Sequence, residues 1–176
     1  MLFSDRSLWT MLHGIVFSGG ALTLLVVALF AVRAVAATPG TELPARQASA
    51  FVGLLIGAAG LLWLAVISGT YIVFPLYRAV PPEGAASLAA YPRALLLASA
   101  DTRWLHAFGM EIKEHMPWIA AMLVTAAAVV ARRCRATLLA DAPMRRVMTV
   151  LLAIAIVLVS GVALLGVFVN KVAPVW

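Results

Sequence analysis

ASAFVGLLIGAAGLLWLAVISGTYIVFPLY, residues 48–77, runs for thirty residues without a single charge. A helix needs about 20 mostly apolar residues to cross the hydrocarbon of a bilayer, so this stretch reads as a transmembrane span. Three further stretches meet the same test, at about 8–35, 104–131 and 146–169. Each is long enough to tilt or to project beyond the hydrocarbon. The composition agrees: of 176 residues, 64% are hydrophobic and 11% charged, with mean hydropathy +1.05. A soluble domain carries about a quarter charged residues, and a disordered chain could not leave this much apolar surface in water. The chain is expected to be an all-α integral membrane four-helix bundle forming one domain. The first span has too long an apolar run for a removable signal peptide.

Between the spans lies the expected punctuation: Thr38-Pro39-Gly40 and Pro44, then Pro81-Pro82 and Pro92, then Ala142-Pro143. Turn formers of this kind interrupt helical periodicity. The longest connection, about 78–103, has an Ala-Leu-rich part after Pro92 suited to a short helix on the surface. Pro117, inside the third span, is expected to bend it just after His115, because proline removes a backbone donor.

The net charge of +6 would suit a nucleic-acid binder if it lay on one polar face. It does not. The first and third connections hold Arg33, Arg46, Arg132, Arg133, Arg135, Arg145 and Arg146 against Glu42 and Asp141, a net of +5; the opposite side nets only +1. By the positive-inside rule the arginine-rich side is cytoplasmic. Both termini would then lie outside the bacterial inner membrane, with no nucleic-acid partner. Trp9, Tyr77, Trp104 and Trp176 would fall near the outer interface, where amphipathic rings are favoured. One cysteine, Cys134, excludes an intrachain disulfide, a C-x-x-C redox pair, covalent c-type haem attachment and a cysteine zinc site. It reads as an unreactive loop thiol.

A weak internal repeat runs along the chain. Leu12-His13-Gly14 opens the first span and Leu105-His106-Ala107 the third, while Ile67-Ser68-Gly69 in the second matches Val159-Ser160-Gly161 in the fourth. Such a repeat would be a duplicated two-helix unit, its pseudo-axis along the membrane normal. Gly53, Gly57 and Gly60 form a small-residue stripe of the kind that lets membrane helices pack closely; Gly161 and Gly166 would do the same in the fourth span.

Polar and ionisable groups inside a span are costly and mark function or a partner. Here they gather toward the outward ends: His13, Ser68, Thr70, Tyr71, His106, Glu111, Lys113, Glu114, His115, Asn170 and Lys171. The inward halves are nearly pure Leu, Val, Ala and Ile, which disfavours a transporter or channel for lack of a polar path. His13 stands among apolar neighbours, Trp9, Met11, Leu12, Ile15, Val16 and Phe17, with Gly20 on its face. Neutral imidazole is a strong iron ligand, and two histidines from facing helices can hold a b-type haem in a bundle core. Lys113, Lys171, Arg6 and Arg103 sit at a level suited to its propionates. For the partner of His13, depth and repeat disagree. Counted from the arginines, His115 differs from His13 by three residues, about 4.5 Å, and His106 by six, about 9 Å. Depth therefore favours His115, while the repeat favours His106. On a straight helix the two lie on different faces, so they cannot serve one site.

Other readings remain open. His13, His106, His115, Glu111 and Glu114 are a conceivable ligand set for iron, copper or zinc, although a doubled Glu-x-x-His pattern is lacking. Histidine, tyrosine and carboxylate at an interface could also handle quinone protons. Each histidine has a structural alternative, a hydrogen bond to a carbonyl or serine. The whole bundle could equally be a non-catalytic scaffold of a larger membrane complex.

The strings Phe108-Gly109-Met110-Glu111-x-Lys113-Glu114-His115-x-x-Trp118 and Asn170-Lys171-Val172-Ala173-Pro174 resemble ones in small uncharacterised bacterial four-span membrane proteins, a family that implies a fold and no activity. In design the chain is also similar to the b-type cytochrome membrane-anchor subunits of respiratory enzymes. That likeness implies electron transfer with haem b, with a quinol, an external redox protein or other complex subunits as partners.

Overall fold

The computed structural model describes residues 4–36, 45–135, 137, 138 and 140–174. Thr38-Pro39-Gly40, Glu42, Pro44 and Trp176, on which part of the sequence reading rests, lie outside these. Among the described residues the protein is all-helical, with four helices long and apolar enough to cross a membrane: α1 (Asp5–Val35), α2 (Ala45–Tyr77), α4 (Leu105–Arg133) and α5 (Ala142–Val172). A short helix, α3 (Pro92–Ala98), lies in the long connection where the sequence suggested one. At 1.5 Å per residue each long helix measures about 45–50 Å, longer than the roughly 30 Å hydrocarbon core.

The ends of these helices follow from local chemistry. Ser4 caps α1 by accepting a hydrogen bond from the Ser7 amide at 3.1 Å. Asp141 caps α5, its carboxylate accepting from the Met144 amide at 3.1 Å, with Pro143 in the first turn, where its missing N–H costs nothing. Arg132 and Arg133 occupy the last turn of α4 and favour the negative end of its dipole.

Each of α2 and α5 packs against both α1 and α4, so α1 and α4 face each other across the diagonal of a square, up-and-down bundle. The seam is legible as a heptad-like spacing: Ala21, Leu25, Ala28 and Val32 on α1, Leu55, Ala58 and Leu62 on α2, Ala120, Val124, Ala127 and Ala131 on α4, and Met148, Leu152, Ala155 and Val159 on α5. This is the spacing of knobs-into-holes packing. Between membrane helices lipid removes most of the hydrophobic drive, so close packing and interhelical hydrogen bonds must hold them. One such bond runs from Trp63 Nε1 on α2 to Thr125 Oγ1 on α4 at 3.0 Å, with Trp63 and Trp118 stacked edge-to-face beside it. Outward, the helices show Phe30, Val157 and Val147 to their surroundings; apolar on every side, they suit a lipid solvent.

The structure corrects three expectations. Of the glycine stripe on α2, only Gly57 meets a neighbour, Leu24 of α1, while Gly53 and Gly60 face open space. The seam runs beside the stripe, through residues 55, 58 and 62. Gly161 likewise meets nothing. Tyr77 is no interfacial anchor: it is buried with Leu96, Leu105 and Met110 in a second, smaller cluster beneath α3. Pro117 lies inside the α-helix Glu111–Arg133, and α4 has in addition a π-helical stretch at 105–110 that the sequence did not suggest.

Removing core volume and removing the interhelical bond are distinguishable. Leu55→Ala should cost ~2 kcal/mol or more through the cavity it leaves. Thr125→Val, which takes the acceptor from Trp63, should cost ~1 kcal/mol. Denaturant unfolding in micelles, followed by tryptophan fluorescence, measures both.

Candidate functional site

The seam of small residues ends at about the level of Val159, and above it the helices part to form a half-open cavity of about 680 Å³. Its wall is mostly apolar, with Leu62, Val66, Val159, Val162 and Ala163 at its inward end. The polar groups on it are Arg6, Thr10, His13 and Ser18 from α1, Thr70 and Tyr77 from α2, Lys113, Glu114 and His115 from α4, and Asn170 from α5.

Three of the four long helices are π-helical around this level, over Leu12–Gly19, Gly69–Val73 and Leu105–Met110. A π-turn widens the helix and rotates the residues beyond it, and such bulges recur at functional sites. In α2 the stretch ends two residues before Pro75, which has no N–H to donate. In α1 the Ser18 hydroxyl donates to the His13 carbonyl five residues back, at 2.9 Å. The stretches in α1 and α4 both begin at a Leu-His pair, as the repeat in the sequence would have it. The repeat ends there, since Val159-Ser160-Gly161 is ordinary α-helix.

His13 has a defined tautomer. Its Nδ1 lies 2.9 Å from the Ala65 carbonyl of α2, which can only accept, so Nδ1 carries the hydrogen and donates it. Ser68 Oγ stands 3.3 Å from the same nitrogen and donates to the Leu64 carbonyl at 2.7 Å. Nε2 is therefore left with its lone pair and has no hydrogen-bond partner among the described residues. This is the arrangement that orients a metal-binding histidine: one ring nitrogen held by a carbonyl, the other free to ligate. Gly69 makes room for it. A Cβ there would lie 2.7 Å from His13 Cε1, closer than carbon atoms approach.

His115 repeats the pattern within its own helix. Its Nδ1 donates to the Glu111 carbonyl at 2.8 Å, which again leaves Nε2 with the lone pair. The side chain stands at the rim of the cavity, 66% exposed, with the Glu111 carboxylate 3.8 Å from Nδ1.

His106 is elsewhere. Both its nitrogens are engaged: Nδ1 with the Tyr77 hydroxyl at 2.8 Å and Nε2 with Arg93 Nε at 3.4 Å. It does not line the cavity. Of the two histidines that sequence left open as partners of His13, the structure brings His115 to the same cavity and keeps His106 in a separate network with α3.

Lys113 also lines the cavity, its Nζ over Gly166 of α5, where a Cβ would stand 3.0 Å away. Gly166 thus serves a side chain and not the helix–helix contact expected of it. Lys171 is exposed and does not line the cavity, and neither does Glu111, whereas Glu114 does. Among the described residues no three His, Cys, Asp or Glu side chains come within reach of one metal ion. The carboxylate–histidine set of His13, His106, His115, Glu111 and Glu114 is therefore not assembled, because these residues point in different directions from α1 and α4. Sequence reading missed Tyr77 as a cavity residue, having placed it at the interface; the Tyr77-Arg78 pair ending an uncharged span was the one available signal.

Gly69→Ala should push the His13 ring off the Ala65 carbonyl and cost roughly 1–3 kcal/mol through overpacking. Imidazole nitrogen NMR of the wild type should show His13 with a protonated Nδ1 and an unprotonated Nε2, a signature that the variant loses. No protein-family model matches the chain, and no curated protein or solved structure matches it, so the chemistry of this cavity carries the functional reading.

Proposed function

We propose that the protein is a membrane electron-transfer protein that holds a b-type haem in the outer half of its bundle, with His13 and His115 as ligands. The observation that carries this reading is the pair of Nε2 lone pairs on diagonal helices, both lining one cavity, each with its Nδ1 hydrogen donated to a backbone carbonyl. The residues fit the group in two further respects. A volume of about 680 Å³ falls within the range of cofactor sites, and the walls are largely apolar, as a porphyrin face requires. Haem in this place would supply a one-electron carrier in the outer leaflet.

The protein's own contribution is orientation and exclusion of water. Ala65 and Ser68 fix the plane and tautomer of His13, and Gly69 lets the ring lie flat against α2. The inward end of the cavity is closed by the alanine-rich seam, so the occupant communicates with the outer side alone. Quinol in the bilayer, an external redox protein or a further membrane-complex subunit is the class of partner for such a carrier. The arginine-rich connections face the cytoplasm in this reading and both termini face outward, in a bacterial inner membrane.

Two measurements test it. Protein produced with a haem supply should show a Soret band and a reduced-minus-oxidised alpha band. His13→Ala should abolish both, and His106→Ala should leave them in place. A colourless wild type that takes up no haem would overturn the reading in favour of a non-catalytic scaffold of a larger complex. For orientation, Cys134 follows directly on the end of α4 at the arginine-rich end. A membrane-impermeant maleimide should label it in inverted vesicles and not in intact spheroplasts.

A further inference from the structure

Two cations on the cavity wall have no anion of their own. Arg6 Nη1 donates to the Ala90 carbonyl at 2.9 Å, tying α1 to the connection before α3. Its Nη2 is buried and has no hydrogen-bond partner. Lys113 lies mostly buried between α4 and α5, and no carboxylate comes within ion-pair distance of it or of Arg6 among the described residues, where the one close pair is His115 with Glu111. Glu114 shares the cavity wall but stands outside that distance from both. A charge withdrawn from water without a partner is strongly unfavourable, more so at membrane depth. Lys113 is the deeper of the two; Arg6 is partly exposed, with only its Nη2 buried and unpartnered, and together they leave a place for an anion supplied from outside the chain.

A third donor belongs to a residue of the same cavity lining. Arginine only donates, so the Arg93 Nε contact makes His106 Nε2 an acceptor and places the ring hydrogen on Nδ1. His106 then donates to the Tyr77 oxygen at 2.8 Å, and the Tyr77 hydroxyl hydrogen is turned away from His106 with no acceptor among the described residues. The network that removes His106 from ligation therefore converts Tyr77 into a donor.

We propose that Arg6, Lys113 and Tyr77 form a carboxylate-binding subsite in the cavity, which takes an amphiphile with an apolar body and an acidic head. In the haem reading, on which this form of the proposal rests, the head is a propionate. A fatty acid entering from the bilayer carries the same chemistry. Lys171 and Arg103 have no part in the subsite: Lys171 is exposed away from the cavity, and Arg103 is exposed and donates to the Leu97 carbonyl at 3.4 Å.

The test compares acid with ester on the unaltered protein. Haem and haem dimethyl ester are titrated into the full chain in nanodiscs, and oleate and methyl oleate in parallel. Haem should bind at least tenfold more tightly than its diester, the loss expected when charge-assisted hydrogen bonds are removed. Lys113→Met and Arg6→Gln should each weaken the acid about tenfold and leave ester binding unchanged. Tyr77→Phe should give a smaller loss of the same kind. Equal affinity for acid and ester in the wild type overturns the subsite whatever the variants do. If neither haem form binds but oleate does, in preference to methyl oleate and dependent on Lys113, the haem reading falls and the subsite stands. If no acid binds in preference to its ester, the subsite falls.

Discussion

Close approach of the four helices along their inner halves is the contact on which everything above it depends. Alanine makes it possible. Ala21, Ala28, Ala58, Ala120, Ala127, Ala131 and Ala155 occupy seam positions where a larger side chain would hold the backbones apart. In a bilayer this matters more than in water, because lipid tails solvate leucine as well as a core does, and the helices are held by contact and by a few hydrogen bonds. The seam is accordingly continuous along that half, with Trp63 and Thr125 as an interhelical polar link.

Above the seam the side chains change character, and so does the geometry. His13, Tyr77, Met110 and Lys113 replace alanine and leucine, three helices adopt π-helical stretches, and the square bundle opens into a cavity. Polar groups at that depth must be satisfied by neighbours, and most are: His13 by a carbonyl of α2, His115 by a carbonyl of its own helix, and His106 by tyrosine and arginine. The short helix α3, with Leu96 fully buried, covers this end and brings Arg93 to His106. The groups left over include two imidazole lone pairs, two cations, one hydroxyl hydrogen and the Glu114 carboxylate.

The two histidines that open the π-helical stretches show how equal sequence contexts lead to different chemistry. Leu12-His13 and Leu105-His106 begin the same kind of turn on diagonal helices. His13 meets an uncharged stretch of α2, where a backbone carbonyl takes one nitrogen and nothing takes the other. His106 meets the end of α2 and the start of α3, where a phenol and a guanidinium take both. The difference lies in what the neighbouring helix presents at that height, which no repeat in the chain encodes.

The apolar runs by themselves determined four helices long and apolar enough to span a membrane, their approximate limits and the all-helical fold, because a stretch such as 48–77 has no stable alternative to a helix in lipid. The clustering of ionisable residues likewise determined which half of the bundle holds the polar-lined cavity, since each such group inside a span needs a reason to be there. Tertiary structure alone decided which of those groups meet. Whether a side chain on α4 faces α2, α5 or lipid depends on rotation about the helix axis. A π-turn alters that rotation by an amount invisible in the residue pattern. Hence Lys113 and Tyr77 line the cavity while Lys171 and Glu111 do not, and His115, which depth along the chain favoured over His106, stands on the same cavity as His13.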